Sequence, residues 1–106
     1  MVRQFAVVRN KNAKTRRAIP YLLNVQHDIL GDLQTRVVVP LWVESALGGQ
    51  TMTRVMPTFE VDGKRVVMVT PQLAGISVRE LGTVVADLSA CRVEIIAALD
   101  FLWTAI

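Results

Sequence analysis

Cysteine is nearly absent: Cys91 has no second cysteine in the chain, so no intrachain disulfide can brace the fold. The opening Met1-Val2-Arg3-Gln4 passes straight into Phe5-Ala6-Val7-Val8, without the basic, apolar and small-residue order of an export leader. A cytoplasmic location is therefore expected, and a reducing compartment disfavours an intermolecular Cys91 disulfide. Long hydrophobic runs are also missing. Stretches such as Val37 to Val39 and Val66 to Val69 fall far short of the roughly 20 residues that span a bilayer, so no membrane span is expected. Histidine occurs once, as His27, and one histidine with one cysteine cannot make a zinc site of the usual kind. Gly48-Gly49-Gln50 leads into nothing like a phosphate-cradling loop with its lysine. Neither a metal nor another cofactor is expected.

What the chain has in quantity is apolar surface. Hydrophobic residues make up 52% of its 106 residues and the mean hydropathy is +0.40, which excludes intrinsic disorder and indicates one globular domain over residues 1–106. A domain this small buries only about two-thirds of the surface its unfolded chain exposes, so some apolar area stays outside. Pairing with a second copy removes it, and a symmetric dimer is expected.

Charge is unevenly spread. Twelve Lys and Arg against nine Asp and Glu give +3, yet residues 1–17 hold Arg3, Arg9, Lys11, Lys14, Arg16 and Arg17 and no acid. Residues 80–106 hold four acids against Arg92. The basic stretch Asn10 to Arg17 lies between apolar Phe5 to Val8 and Ile19 to Val25, the pattern of a long hairpin loop. Such cations would suit a phosphate backbone by releasing counterions, or a solvated turn that shields a sheet edge. No aromatic residue stands among them to stack on a base.

The β-branched run Arg36 to Val39 predicts a buried strand, with Pro40 expected to end its ladder. Asp62-Gly63, flanked by Thr58 to Val61 and Lys64 to Val69, predicts a hairpin with a two-residue type I′ turn. Trp42 to Gly49 reads either as a short helical turn ended by the glycines or as an excursion between strands. Near the end the period changes. Leu88, Cys91, Ile95, Leu99, Leu102 and Ile106 recur at spacings of three and four, which predicts an amphipathic helix capped by Asp87 or Ser89. Ile96, Phe101 and Trp103 widen its apolar surface beyond one stripe. The helix thus has surface for two neighbours, its own sheet and a second subunit or partner, unless Trp103 simply packs at the core margin.

An enzyme would have to rest on His27, which beside Asp28 could form an acid-base pair for RNA cleavage with Arg36 steadying a phosphate. A surface histidine after a strand is the plainer reading, and the inventory favours a binding protein.

In order and in residues the chain resembles the CcdB family, the toxins of CcdA/CcdB toxin-antitoxin modules. The resemblance rests on Val25-Gln26-His27-Asp28-Ile29-Leu30 after the basic hairpin, Arg36-Val37-Val38-Val39-Pro40-Leu41, Val85-Ala86-Asp87-Leu88-Ser89, and a terminal helix closing on Ala105-Ile106. It covers nearly the whole length, with His27 where the family has serine. It implies a mainly β fold with one C-terminal helix: an SH3-like β-barrel with a small three-stranded side sheet, forming a homodimer. It implies a non-enzymatic toxin that binds the DNA gyrase A subunit and traps the cleaved-DNA complex. A CcdA-like antitoxin would neutralise it, and the two together would bind operator DNA and repress their operon.

Carried over by position, the resemblance assigns gyrase contacts to Ile29, Leu30, Asp100 and Ile106. The family's ending is Trp-Gly-Ile. Aligned without a gap, Thr104 takes the tryptophan position, Ala105 the glycine position, and Trp103 stands one residue early. The candidate gyrase surface is therefore Ile29, Leu30, Asp100, Trp103, Thr104, Ala105 and Ile106. An acidic, disordered antitoxin would be drawn to Arg9, Lys11, Lys14, Arg16 and Arg17. Two alternatives stay open: a protein of this fold that binds antitoxin without poisoning gyrase, and a ribonuclease toxin of the related barrel fold using His27, Asp28 and Arg36.

Overall fold

In the computed structural model of the protein, residues 2–49 and 52–104 are described. Among the described residues seven strands precede one α-helix: β1 (Ala6–Asn10), β2 (Tyr21–Asn24), β3 (Thr35–Val43), β4 (Thr58–Val61), β5 (Lys64–Met68), β6 (Ala74–Ser77), β7 (Leu81–Asp87) and α1 (Arg92–Thr104). All pairings are antiparallel, in the order β4-β5-β3-β2-β1-β7, with β6 beside the first half of β3. β6 lies against β3 and β7 against β1, yet only residues 78–80 separate them in the chain, so the sheet curls back on itself as a half-barrel. The fold is mainly β with a single C-terminal helix, as expected. β4, β5 and the end of β3 form the three-stranded wing.

Local chemistry explains most of these elements. The β1–β2 hairpin closes over the basic loop in the register Val8↔Leu22. Asp62 (φ 51°) and Gly63 (φ 79°) both take the left-handed backbone of a type I′ turn and set Val61 opposite Lys64. Trp42 to Gly49 resolves as the end of β3 followed by a 3₁₀ turn over Glu44–Leu47, which Gly48 stops at φ 59°.

Pro40 does not end its strand. β3 runs on to Val43, because its ladder partner on one side changes from β6 at Val38 to β5 at Leu41. The Pro40 carbonyl accepts the Val69 amide at 3.1 Å, so the missing Pro40 donor faces that same gap between partners, where no ladder bond is lost. Both faces of β3 are covered, which is why its sequence is continuously apolar rather than alternating.

One apolar cluster fills the space between the sheet and α1, with Val7, Leu23, Val39, Leu41, Ile95 and Leu99 among its members. Val8, Val38 and Leu81 form a second inside the curl of the barrel, with Leu22 and Ile76 packed on it. A third joins Val55, Met56, Val67 and Val69 to Trp42, Phe101 and Leu102 near the end of the helix. Leu88 and Cys91 precede α1 in a 3₁₀ turn, and the buried helix positions are Ile95, Ala98 and Leu99.

Two predictions arise here. A Cβ on Gly82 would stand 2.7 Å from the Arg9 carbonyl oxygen, where β7 crosses close to β1. Gly82→Ala is expected to lower unfolding stability by about 1–3 kcal/mol in urea titration, because backbone and not a flexible side chain must give way. The Asp87 carboxylate accepts the Ser89 amide at 2.7 Å, and this bond, helped by the Ser89 side chain, holds its pKa below the ordinary 3.8. A group whose folded pKa is depressed stabilises the fold above its unfolded pKa, and that contribution fades as pH falls through the lowered value. Stability in acid should therefore fall less steeply below pH 3.8 in Asp87→Asn than in the native chain, by a small amount because the group is exposed.

Candidate functional site

Between β2 and β3 the chain builds an exposed apolar knuckle. Ile29 is 82% exposed, Leu33 51% and Leu30 48%. Their surroundings are braced from within. Buried Gln26 donates from Nε2 to the carbonyls of Leu30 (3.0 Å) and Thr35 (3.2 Å), and its Oε1 accepts the Val37 amide at 3.0 Å. Buried Arg36 donates to the carbonyls of Gly31 (2.7 Å), Leu33 (2.6 Å) and Thr35 (2.9 Å). A five-donor planar fork suits that task, and a lysine could not reproduce it. Asp28 accepts the Gln4 amide at 2.7 Å and pairs with Arg3 at 3.5 Å, tying the knuckle to the start of the chain. These bonds hold the main chain of the loop, so its apolar side chains project from a fixed backbone.

These same contacts revise the residues considered for RNA cleavage. His27 Nδ1 accepts the Ile29 amide at 3.0 Å and so caps the 3₁₀ turn Asp28–Leu30. The Arg36 donors are spent on backbone carbonyls rather than held out for a phosphate, because a buried guanidinium must be bonded to something. All three residues thus make hydrogen bonds in or beside the knuckle. Cys91 is half-buried, and burial, with Glu94 nearby, pushes its thiol above the ordinary value of 9.0, the opposite of an activated nucleophile.

The second part of the predicted surface is the end of α1. Trp103 is 62% exposed, so it lies outside the core rather than filling its margin. Thr104 is exposed and its hydroxyl donates to the Asp100 carbonyl at 2.6 Å, closing the last turn. Asp100 is exposed and lines a groove of about 430 Å³ with Arg54, Glu94 and Phe101, where the Arg54 guanidinium lies 4.6 Å from the Phe101 ring centre. Ala105 and Ile106 lie outside the described residues. Ile29 and Leu30 are held through Gln4, Gln26 and Arg36, while the last turn is held by the packing of Phe101 and Leu102 against the cluster of Val55, Met56, Val67 and Val69, so different parts of the scaffold present the two groups. Leu33 was missed by the sequence reading. Its signal is an apolar residue within the polar turn Gly31-Asp32-Leu33-Gln34.

The predicted cations sit on and beside the β1–β2 loop. Arg9, Lys14, Arg16 and Arg17 are exposed, and the Lys11 ammonium donates to the Arg79 carbonyl at 3.0 Å. The loop is self-braced: Asn10 Nδ2 donates to the Thr15 hydroxyl (3.0 Å) and the Ile19 carbonyl (2.8 Å), and Asn12 Oδ1 accepts the Lys14 amide at 2.9 Å. The ion pairs Arg3–Asp28 and Arg65–Glu44 lie elsewhere, so among the described residues these loop cations have no acid in contact.

The described residues thus form a mainly β half-barrel with one C-terminal helix, an exposed apolar knuckle and a basic loop. The chain belongs to the CcdB family: the family model described as CcdB protein matches residues 4–105. It is thus a toxin of a toxin-antitoxin module, with an antitoxin as partner. No curated protein matches the chain. Among the described residues no helix is long and apolar enough to cross a membrane.

Proposed function

We propose that this toxin acts by binding the A subunit of DNA gyrase and trapping the complex in which gyrase has cut DNA, and that it works as a homodimer in the cytoplasm. The observation that supports this reading most is the braced knuckle, with Ile29, Leu30 and Leu33 held outward by buried Gln26 and Arg36. Exposed apolar side chains on a rigid loop favour a protein surface as target. Trp103, Thr104 and Asp100 at the end of α1 supply the second contact, with Ala105 and Ile106 beyond it. A two-fold dimer presents every such surface twice. The role of the basic residues Arg9, Lys11, Lys14, Arg16 and Arg17 is to attract an acidic antitoxin, and operator DNA is engaged only together with that antitoxin.

The test uses purified gyrase, supercoiled plasmid and the toxin, stopped with detergent. Linear plasmid that accumulates with toxin concentration is the expected result; none at micromolar toxin would overturn the reading. Sedimentation should return twice the 11.7 kDa chain mass, and a single-chain mass would remove the dimer.

One observation favours a second reading, in which the chain binds antitoxin without poisoning gyrase. Thr104 stands at the family's tryptophan position, and its hydroxyl is turned back onto the Asp100 carbonyl. Under that reading only the double change Thr104→Trp with Ala105→Gly yields linear plasmid.

A further inference from the structure

The chain's only histidine, His27, is exposed and stands at the entrance of the knuckle. Its Nδ1 accepts the Ile29 amide at 3.0 Å, which commits the neutral ring to carrying its proton on Nε2. The backbone of His27 is extended (φ −63°, ψ 145°), as an N-cap requires, and its carbonyl accepts the Leu30 amide at 3.0 Å. The Gly31 amide bonds the Asp28 carbonyl at 2.9 Å. Of these three amides only that of Ile29 depends on a side chain, and that side chain is one that titrates. The charged groups of the surrounding elements are engaged elsewhere. Asp28 accepts the Gln4 amide and pairs with Arg3 from the start of the chain, while Arg36 on β3 is spent on the carbonyls of Gly31, Leu33 and Thr35. Asp32 is exposed in the turn that follows, and among the described residues no ion pair reaches the imidazole.

We propose that His27 is an acid-sensitive latch on the knuckle: uptake of a proton at Nδ1 releases the Ile29 amide and weakens the toxin's hold on its target. Imidazole is the side chain that gains its charge between about pH 8 and about pH 5. The proton comes from solvent to the nitrogen that accepts from Ile29, so two N–H groups would then face each other. Bond and proton exclude one another, and the ring turns away. A positive charge at the start of a helical turn is further repelled by the free amides there. The Asp28 carboxylate pulls the other way, but it is already shared between Arg3 and the Gln4 amide. A serine at this place would accept through its hydroxyl over the whole range, so a histidine is what makes the cap conditional. The Cys91 thiol takes no part, because burial pushes it above its ordinary range. The latch rests on the reading that the knuckle touches the gyrase A subunit, and it adds the condition under which that contact is strong.

The experiment follows the ¹⁵N-labelled full chain by NMR from about pH 8 to about pH 5, and measures binding to purified gyrase A subunit at both ends of that range, for the native chain, His27→Ser and His27→Ala. In the free native chain the neutral ring should show an unprotonated Nδ1, and the Ile29 amide signal should move in step with protonation of the ring, in the direction of a lost hydrogen bond. In His27→Ser the Ile29 signal should stay in place. A neutral ring protonated at Nδ1, or an Ile29 signal that stays still while the ring gains its charge, overturns the latch whatever gyrase does. In the binding arm the pH response of gyrase itself is common to all three proteins and cancels. Native affinity should fall about fivefold more across the range than that of His27→Ser, the size expected for loss of one cap. His27→Ala should be weakened by a similar factor at the upper end and then follow the serine variant. Equal pH dependence in the native chain and His27→Ser overturns the proposal. If the native chain binds gyrase at neither pH, the gyrase reading fails, and the latch stands or falls on the Ile29 signal alone.

Discussion

Replacing Trp103 with alanine should lower the yield of gyrase-dependent linear DNA more than tenfold at a fixed toxin concentration. An exposed aromatic side chain that becomes buried at the centre of an interface commonly contributes about 2 kcal/mol or more, and each 1.4 kcal/mol is a decade of affinity. Trp103 is 62% exposed in the free chain, so its removal leaves no cavity, and the urea midpoint should stay within about 0.5 kcal/mol of native stability. Loss of poisoning without loss of folding is the diagnostic pair. Ile29→Asp should behave alike, since Ile29 is 82% exposed and a carboxylate there would have to be desolvated against the target. Equal yields of linear DNA from native and Trp103→Ala protein would remove the helix end from the interface.

The second large effect is on stability. Arg36→Leu should cost about 3 kcal/mol or more in urea unfolding, because the carbonyls of Gly31, Leu33 and Thr35 lose their donor in a part-buried setting. Arg36→Lys should recover little of it, since a compact ammonium cannot span three carbonyls set around a planar fork. Poisoning should fall with stability in both variants, because the knuckle carrying Ile29, Leu30 and Leu33 loses its brace. A variant that unfolds as easily as predicted yet poisons fully would detach the knuckle from function.

Much of the fold was legible because it rests on local chemistry. Asp62-Gly63 required a left-handed turn, the run from Arg36 to Val39 required a two-sided strand, and the spacing from Leu88 to Leu102 required a helix. Pro40 was misjudged because its effect depends on which neighbour faces its missing donor, and the β6-to-β5 handover is a long-range fact. Phe5 offered no signal of its left-handed backbone (φ 69°), which tertiary packing imposes on a buried aromatic. Ile29 and Leu30 drew notice in the sequence only because they match a family pattern, and what the fold adds is that both are exposed. Arg36 suggested phosphate chemistry in the sequence because a cation's partners are invisible there; in the fold they are main-chain carbonyls. Leu33 was hidden because burial, not residue type, decides whether an apolar side chain is core or surface.

The most direct measurement is titration of fluorescently labelled gyrase A subunit with the native toxin, Trp103→Ala and Ile29→Asp. Saturable binding by the native chain, weakened more than tenfold in each variant, is the predicted result. No binding by the native chain at micromolar concentration, or equal binding by all three proteins, would contradict it.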